Sequence, residues 1–158
     1  MSRFLNHLTK LYQEQVERYR NRPFLKAAMA ACALVAVADG KVSFSQRVRV
    51  DQILETLDKL KVYDPHEGVD LFNDYVEQIL TSPKIGHAKA VEAVQSIADN
   101  KETARMLIRL CLAVSETNCK ISTVEQVEIV SLCNLLGIDP SEVNLYSEDL
   151  HLHANEPP

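Results

Sequence analysis

The sequence predicts an all-α protein: a single-domain bundle of about seven helices, built from two pseudo-repeated helical hairpins. One observation is the scarcity of helix breakers, since 158 residues contain only 4 Gly and 6 Pro. A second is the spacing of apolar residues by three and four, which indicates amphipathic helices. A third is an internal repeat, in which residues 32–46 align without a gap with residues 111–125. Such repetition indicates two equivalent hairpins whose turns converge on one place.

The first part of the chain is predicted to form three helices. Residues 1–22 form an N-terminal amphipathic helix, which packs on the bundle or on a second copy of the chain. Pro23 opens an alanine-rich, central helix that runs to about Ala38. The polar turn 39–41 follows, and Ser43 caps the next helix. The apolar residues that suggest packing of the N-terminal helix are Phe4, Leu8, Leu11 and Tyr12.

Two helices are predicted in the middle of the chain. Asp64 and Pro65 form a typical helix start, because Asp caps and Pro suits the first helical position. This helix ends at residues 82–83. The next helix ends near residues 99–100 and is expected to bury a stripe of small and branched side chains. The residues of that expected stripe are Ile85, Ala88, Val91, Val94, Ile97 and Ala98.

The last part of the chain repeats the pattern of the first. A largely apolar helix runs from Glu102 to about Glu116, and Ser122 caps a further helix that stops at Gly137. A short final helix restarts after it, and no segment has the pattern of a strand. We therefore expect a helical domain over residues 23–146, followed by a tail over residues 147–158.

Composition narrows the class of protein. The formal net charge is −5 and the charged residues make up 25% of the chain, so the concentrated basic face of a nucleic-acid-binding protein is not expected. The longest apolar stretch, residues 27–38, is too short to span a bilayer, and residues 1–22 lack the apolar core of a signal peptide. The four cysteines form no C-x-x-C pair, which argues against a zinc ribbon. We expect a soluble, cytoplasmic protein.

The two repeated turns hold the candidate functional residues. Ser43 with Gln46, and Ser122 with Glu125, match the capping box, in which each side chain satisfies a backbone amide of the helix start. The alternative is that carboxylates from both turns share a divalent cation, because Ca²⁺, Mg²⁺ and similar ions prefer oxygen ligands. The candidate ligands for Ca²⁺, Mg²⁺, Mn²⁺ or Zn²⁺ are Asp39 and Glu125, helped by Asn118 and Glu116.

Three stretches of sequence resemble the TerB family of tellurite-resistance proteins. They are residues 36–43 (AVADGKVS), residues 85–90 (IGHAKA) and residues 136–140 (LGIDP). The resemblance implies an all-helical bundle and a bacterial cytoplasmic stress-response protein, peripheral to the inner membrane through partners in a membrane-associated complex. It also implies that acidic residues of the two turns bind a divalent metal. Asp39 and Glu125 match the acids of the family, whereas Gln46, Asn118 and Cys119 depart from its pattern.

Other constellations suggest weaker alternatives. His151 and His153 have side chains suited to zinc, although they lie in the predicted tail. Cys119 lies in a polar turn before Lys120, which favours its thiolate and makes it a candidate for reaction with an oxyanion. No catalytic arrangement is recognisable. The sequence therefore favours a non-enzymatic interaction module for other stress-response proteins, with a purely structural adaptor as the alternative.

Overall fold

The fold is all-helical. The computed structural model describes residue 6 and residues 22–59, 65–116 and 121–143, and in these ranges every regular element is a helix. The described part contains six α-helices and one short 3₁₀-helix. The predicted all-α class is confirmed. The predicted count of about seven helices is not confirmed, because the predicted N-terminal helix lies outside the described residues apart from Asn6. The predicted tail also lies outside them.

The helices begin and end within a few residues of the predicted positions. No helix of the described part is long and apolar enough to cross a bilayer. The elements are α1 (Arg22–Ala36), α2 (Phe44–Lys59), α3 (Pro65–Thr81), α4 (Pro83–Gln95), α5 (Lys101–Ser115), α6 (Thr123–Leu136) and a 3₁₀-helix (Pro140–Val143).

Helix α1 is the centre of the bundle. It packs against α3, α4 and α5, and also contacts α6. Its residues 27–36 are all buried, and six of these ten are alanines, so the helix lets its neighbours approach closely on every side. Helix α5 is the second buried element, with buried residues along most of its length. These two helices therefore form the core on which the others pack.

The buried face of α4 differs from the predicted stripe. Its buried residues are Gly86, Ala90 and Val94, whereas Ile85 is 63% exposed. The reason is the close packing of α4 on α3: a Cβ added at Gly86 would collide with the backbone of Gln78 and Ile79. Small residues, rather than the larger branched ones, occupy the contact because the two backbones come so near each other.

The ends of α1 and α5 meet at one end of the bundle. The Cys32 thiol of α1 contacts the Cys111 thiol of α5, and both are buried. Each thiol lies one helical turn before the last residue of its helix, Ala36 or Ser115. The chain leaves both helices there, enters a turn and begins α2 or α6. The packing of α1 on α5 consequently places the two turns next to each other.

Candidate functional site

The first turn follows the end of α1. The Gly40 N–H donates to the Val37 carbonyl at 2.8 Å, and Gly40 has φ of 94°, a left-handed conformation that favours glycine. This tight turn leaves Asp39 exposed. The turn ends at Ser43, which starts α2.

A complete capping box begins α2. The Ser43 N–H donates to Gln46 Oε1 at 2.9 Å, and the Gln46 N–H donates to Ser43 Oγ at 3.2 Å. The two bonds satisfy two amides that the helix start would leave without partners. The cap also fixes the Gln46 side chain, of which only 4% is exposed, on the inner side of the turn.

The second turn caps α6 in a different way. The Glu125 N–H donates to Ser122 Oγ at 3.1 Å, and the Ser122 hydroxyl lies 3.1 Å from Glu125 Oε1. Glu125 thus accepts from the hydroxyl of Ser122, where Gln46 accepts from the amide of Ser43. The Glu125 side chain is buried, with 5% exposed. Residues 117–120, which contain Asn118 and Cys119, lie outside the described residues.

Side chains of the two turns are in contact. Gln46 Nε2 donates to Glu125 Oε2 at 3.0 Å in a buried hydrogen bond. Ser122 Oγ lies 3.4 Å from Asp39 Oδ2, and the Asp39 and Glu125 carboxyls are within hydrogen-bond reach of each other. Because a hydroxyl has one hydrogen, Ser122 donates to only one carboxylate at a time. The site is therefore a pair of adjacent carboxyls with a shortage of donors.

The electrostatics of Glu125 reflect this crowding. Burial raises the pKa of its carboxyl above the ordinary value of 4.5, and the neighbouring Asp39 carboxyl raises it further. The hydroxyls of Ser115 and Ser122 lower it by a smaller amount. Burial disfavours a charge, and a second acid disfavours two charges, so the pair gains from a proton or a cation placed between its oxygens.

Ser115 adds a polar atom that the sequence did not indicate. It is the last residue of α5, its side chain is 1% exposed, and its hydroxyl faces Glu125 closely enough to affect the pKa of that acid. The hydroxyl nevertheless makes no well-oriented hydrogen bond within the described structure. Buried hydroxyls normally have a partner. Ser115 is therefore an unsatisfied oxygen beside the carboxyl pair.

The other predicted ligands are placed differently. Glu116 ends α5 in an extended conformation, and its backbone carbonyl accepts from Arg49 Nη2 at 3.4 Å. No hydrogen bond in the described part joins its carboxylate to Asp39 or Glu125. Asn118, His151 and His153 lie outside the described residues.

The chemistry of the site is that of oxygen ligands. No group of three or more His, Cys, Asp or Glu side chains that could hold a metal ion occurs in the described ranges. A cation between the turns would rely on the carboxylates of Asp39 and Glu125 and on the hydroxyl oxygens of Ser115 and Ser122. Such a set suits a hard divalent cation.

Sequence comparison decides the family. The family model described as tellurite resistance protein TerB matches residues 25–147. The chain belongs to the TerB family. The match includes all of the last five helices and most of α1, and therefore both turns of the site. The tellurium resistance protein TerB of an Alcaligenes species is 30% identical over 96 residues, which are 61% of this chain and 79% of that protein.

No solved structure gives a significant match to this TerB-family protein. Membership of the family supports a function related to tellurite resistance.

Proposed function

We propose that this TerB-family protein is a non-enzymatic, cation-responsive interaction module that acts in tellurite resistance and the stress response. It works in the cytoplasm, with protein partners of a membrane-associated complex. The observation that supports the proposal is the contact of the Asp39 and Glu125 carboxyls, which belong to different turns. A cation bound by both would connect the two halves of the bundle.

The surroundings of the carboxyl pair favour a cation. Helices α1 and α5 both end at the site, and the C-terminal end of a helix has a partial negative charge. Residues Asp39 and Glu125 contribute two carboxylates, while Ser122 contributes a hydroxyl within 3.4 Å of both. A divalent ion would remove the repulsion between the two carboxylates. It would also bind the carboxylate oxygens, which share the single hydrogen of the Ser122 hydroxyl.

Exposed apolar residues beside the turns suit the binding of a partner protein. Phe44 and Val48 on α2 are 82% and 36% exposed, and Val124 and Val127 on α6 are 49% and 61% exposed. These residues belong to the first two turns of the helices that position Gln46 and Glu125. A change in cation binding would alter the positions of these helix starts relative to one another, and a partner in contact with them would detect it.

Calorimetric titration tests the proposed cation site. Ca²⁺, Mg²⁺, Mn²⁺ and Zn²⁺ are titrated into the wild type and into Asp39→Asn and Glu125→Gln variants. Each substitution removes one negative charge from the site while preserving shape, and we expect affinity to fall by about 10–100-fold. Asp99→Asn, an exposed acid next to the start of α5 at its other end, is the control and should bind like the wild type. Equal heats for all four proteins would refute the cation site.

One observation favours a second function, that of a purely structural adaptor. The Ser43–Gln46 box is complete, and the Gln46–Glu125 hydrogen bond joins the two turns without an ion. For an adaptor of this kind, Asp39→Asn would leave binding of the partner unchanged with and without divalent cation. A cation-responsive module requires the variant to lose the response to cation.

A further inference from the structure

We propose that the hydroxyl of Ser115 is a further oxygen ligand, beside that of Ser122, of the cation between Asp39 and Glu125, and that it strengthens the preference of the site for hard cations. The inference rests on the cation-binding function proposed above. It concerns Ser115, the last residue of the largely apolar helix α5. Its basis is the position of one unsatisfied side chain.

The first step is the burial of Ser115. Its side chain is 1% exposed, and its oxygen has no hydrogen-bond partner within the described residues. An unsatisfied buried polar atom destabilises the folded state. A serine in the last turn of a helix ordinarily avoids this cost by donating to the carbonyl four residues earlier, which is Cys111 here. Ser115 does not make that bond, and its hydroxyl lies near enough to the Glu125 carboxyl to lower the pKa of that acid.

The second step is the difference between the two halves. In the internal repeat Ser115 aligns with Ala36, which ends α1 at the equivalent place. Glu125 likewise aligns with Gln46. The hydroxyl and the buried carboxylate thus belong to the same half, whereas Asp39 belongs to the other. The polar atoms therefore cluster on one side of the site and do not form two equivalent half-sites.

The third step is the chemistry of the resulting set. Two carboxylates and the neutral hydroxyls of Ser115 and Ser122 are hard oxygen donors, which suit Ca²⁺, Mg²⁺ or Mn²⁺ and have no special affinity for soft metals. Ser115 extends from α5, whereas Asp39 follows α1 and Glu125 lies on α6. A ligand from each of three segments would make the site sensitive to the packing of α1, α5 and α6 together.

Two substitutions test the proposal. Ser115→Ala removes the oxygen at little cost to a helix end, and we expect the affinity for Mn²⁺ and Ca²⁺ to fall by at least about 10-fold. Ser115→Cys replaces a hard donor with a soft one, so the ratio of Cd²⁺ to Mn²⁺ affinity should rise relative to the wild type. Circular dichroism before each titration checks that both variants are folded.

The matched control is Thr103→Val, which removes another buried hydroxyl from the opposite end of α5. It should leave both affinities unchanged. Wild-type affinity in Ser115→Ala, together with an unchanged metal preference in Ser115→Cys, would overturn the role of Ser115 but not the cation site itself. Absence of any cation binding by the wild type would overturn the site and with it this inference.

Discussion

At the scale of single residues, Glu125 has a charge that its surroundings accommodate poorly. Its carboxylate is buried, lies beside Asp39 and accepts one hydrogen bond from the amide of Gln46. Glutamine at position 46 is therefore a functional complement to Glu125. A second glutamate at that position would place a third carboxyl at the site, whereas glutamine donates a hydrogen bond to the carboxylate and still caps α2 through its carbonyl.

Replacement of Gln46 tests the value of this donor. Gln46→Ala removes the hydrogen bond to Glu125 and the cap of α2, and we expect the free energy of unfolding to fall by about 1.5–3 kcal/mol. Urea denaturation followed by circular dichroism measures the change. The control Gln95→Ala removes an exposed glutamine from the last turn of α4 and should stay within about 0.5 kcal/mol of the wild type.

A second arm of this experiment separates the donor from the cap. If the loss arises partly from Glu125, Gln46→Ala should cost less in a Glu125→Gln background, because a neutral amide tolerates the missing donor better than a buried carboxylate does. Equal costs in both backgrounds would show that Gln46 stabilises the protein through the helix cap alone.

At the scale of helices, the α3–α4 contact explains one of the sequence stretches that resemble the TerB family. Gly86, the second residue of IGHAKA, lies where α4 comes closest to α3, and a Cβ there would collide with main-chain atoms of Gln78 and Ile79. Main-chain atoms of a helix cannot move aside without breaking its hydrogen bonds. Alanine at this position would favour helix α4 taken alone. The requirement for glycine therefore comes from the neighbouring helix α3.

Two glycine substitutions test this requirement. Gly86→Ala gains about 1 kcal/mol of helix propensity but loses about 1–3 kcal/mol through overpacking, and we expect net destabilisation of up to about 2 kcal/mol in thermal or urea unfolding. Gly68→Ala in α3 is the matched comparison, because its Cβ would meet side-chain atoms of Leu54 rather than main-chain atoms, and a side chain yields more readily than a helix backbone. It should therefore cost less. Equal effects of the two substitutions would contradict the proposed backbone collision.

The helix ends show how far sequence patterns can predict this fold. Ser43 and Ser122 were predicted as caps and they cap α2 and α6, and Gly137 ends α6 with φ of 69°. Such signals are local, so the sequence contains them. Asn100 was predicted to end a helix, but its side chain accepts from the N–H groups of Glu102 and Thr103 and so caps α5. The same polar residue can end one helix or begin the next, and the pattern alone does not distinguish these cases.

The candidate site depends on side-chain positions that sequence patterns do not predict. The internal repeat suggested that the turns converge, but a repeat gives no distances between side chains. The contact of Gln46 with Glu125 depends on how closely the starts of α2 and α6 approach, and the orientation of Ser115 depends on the rotation of α5 about its axis. In the sequence Ser115 merely ends an apolar run. The close approach at Gly86 is likewise a property of two helices, which explains why Ile85 and Ala88 were wrongly predicted to be buried, whereas Val94 and Ile97 are buried as predicted.

At the scale of the whole molecule, the carboxyl pair joins segments that are distant in the chain. Asp39 follows the central helix α1, and Glu125 lies on α6, the last α-helix of the described residues. Only the folded protein can bind a cation through both acids, because the unfolded chain does not hold the two acids together. Binding of this kind stabilises the folded protein as a whole.

Thermal unfolding with cation present tests this linkage. At a free Mn²⁺ concentration about 100 times Kd, the folded state gains about 2.7 kcal/mol, which raises the Tm of a domain of this size by roughly 5–10 °C. The net charge of −5 also attracts cations without a specific site, so the reference is NaCl at matched ionic strength, which screens surface charges equally. Glu125→Gln should lose most of the increase in Tm. An equal increase in the variant and the wild type would show that Mn²⁺ acts through general charge screening and does not bind between the two turns.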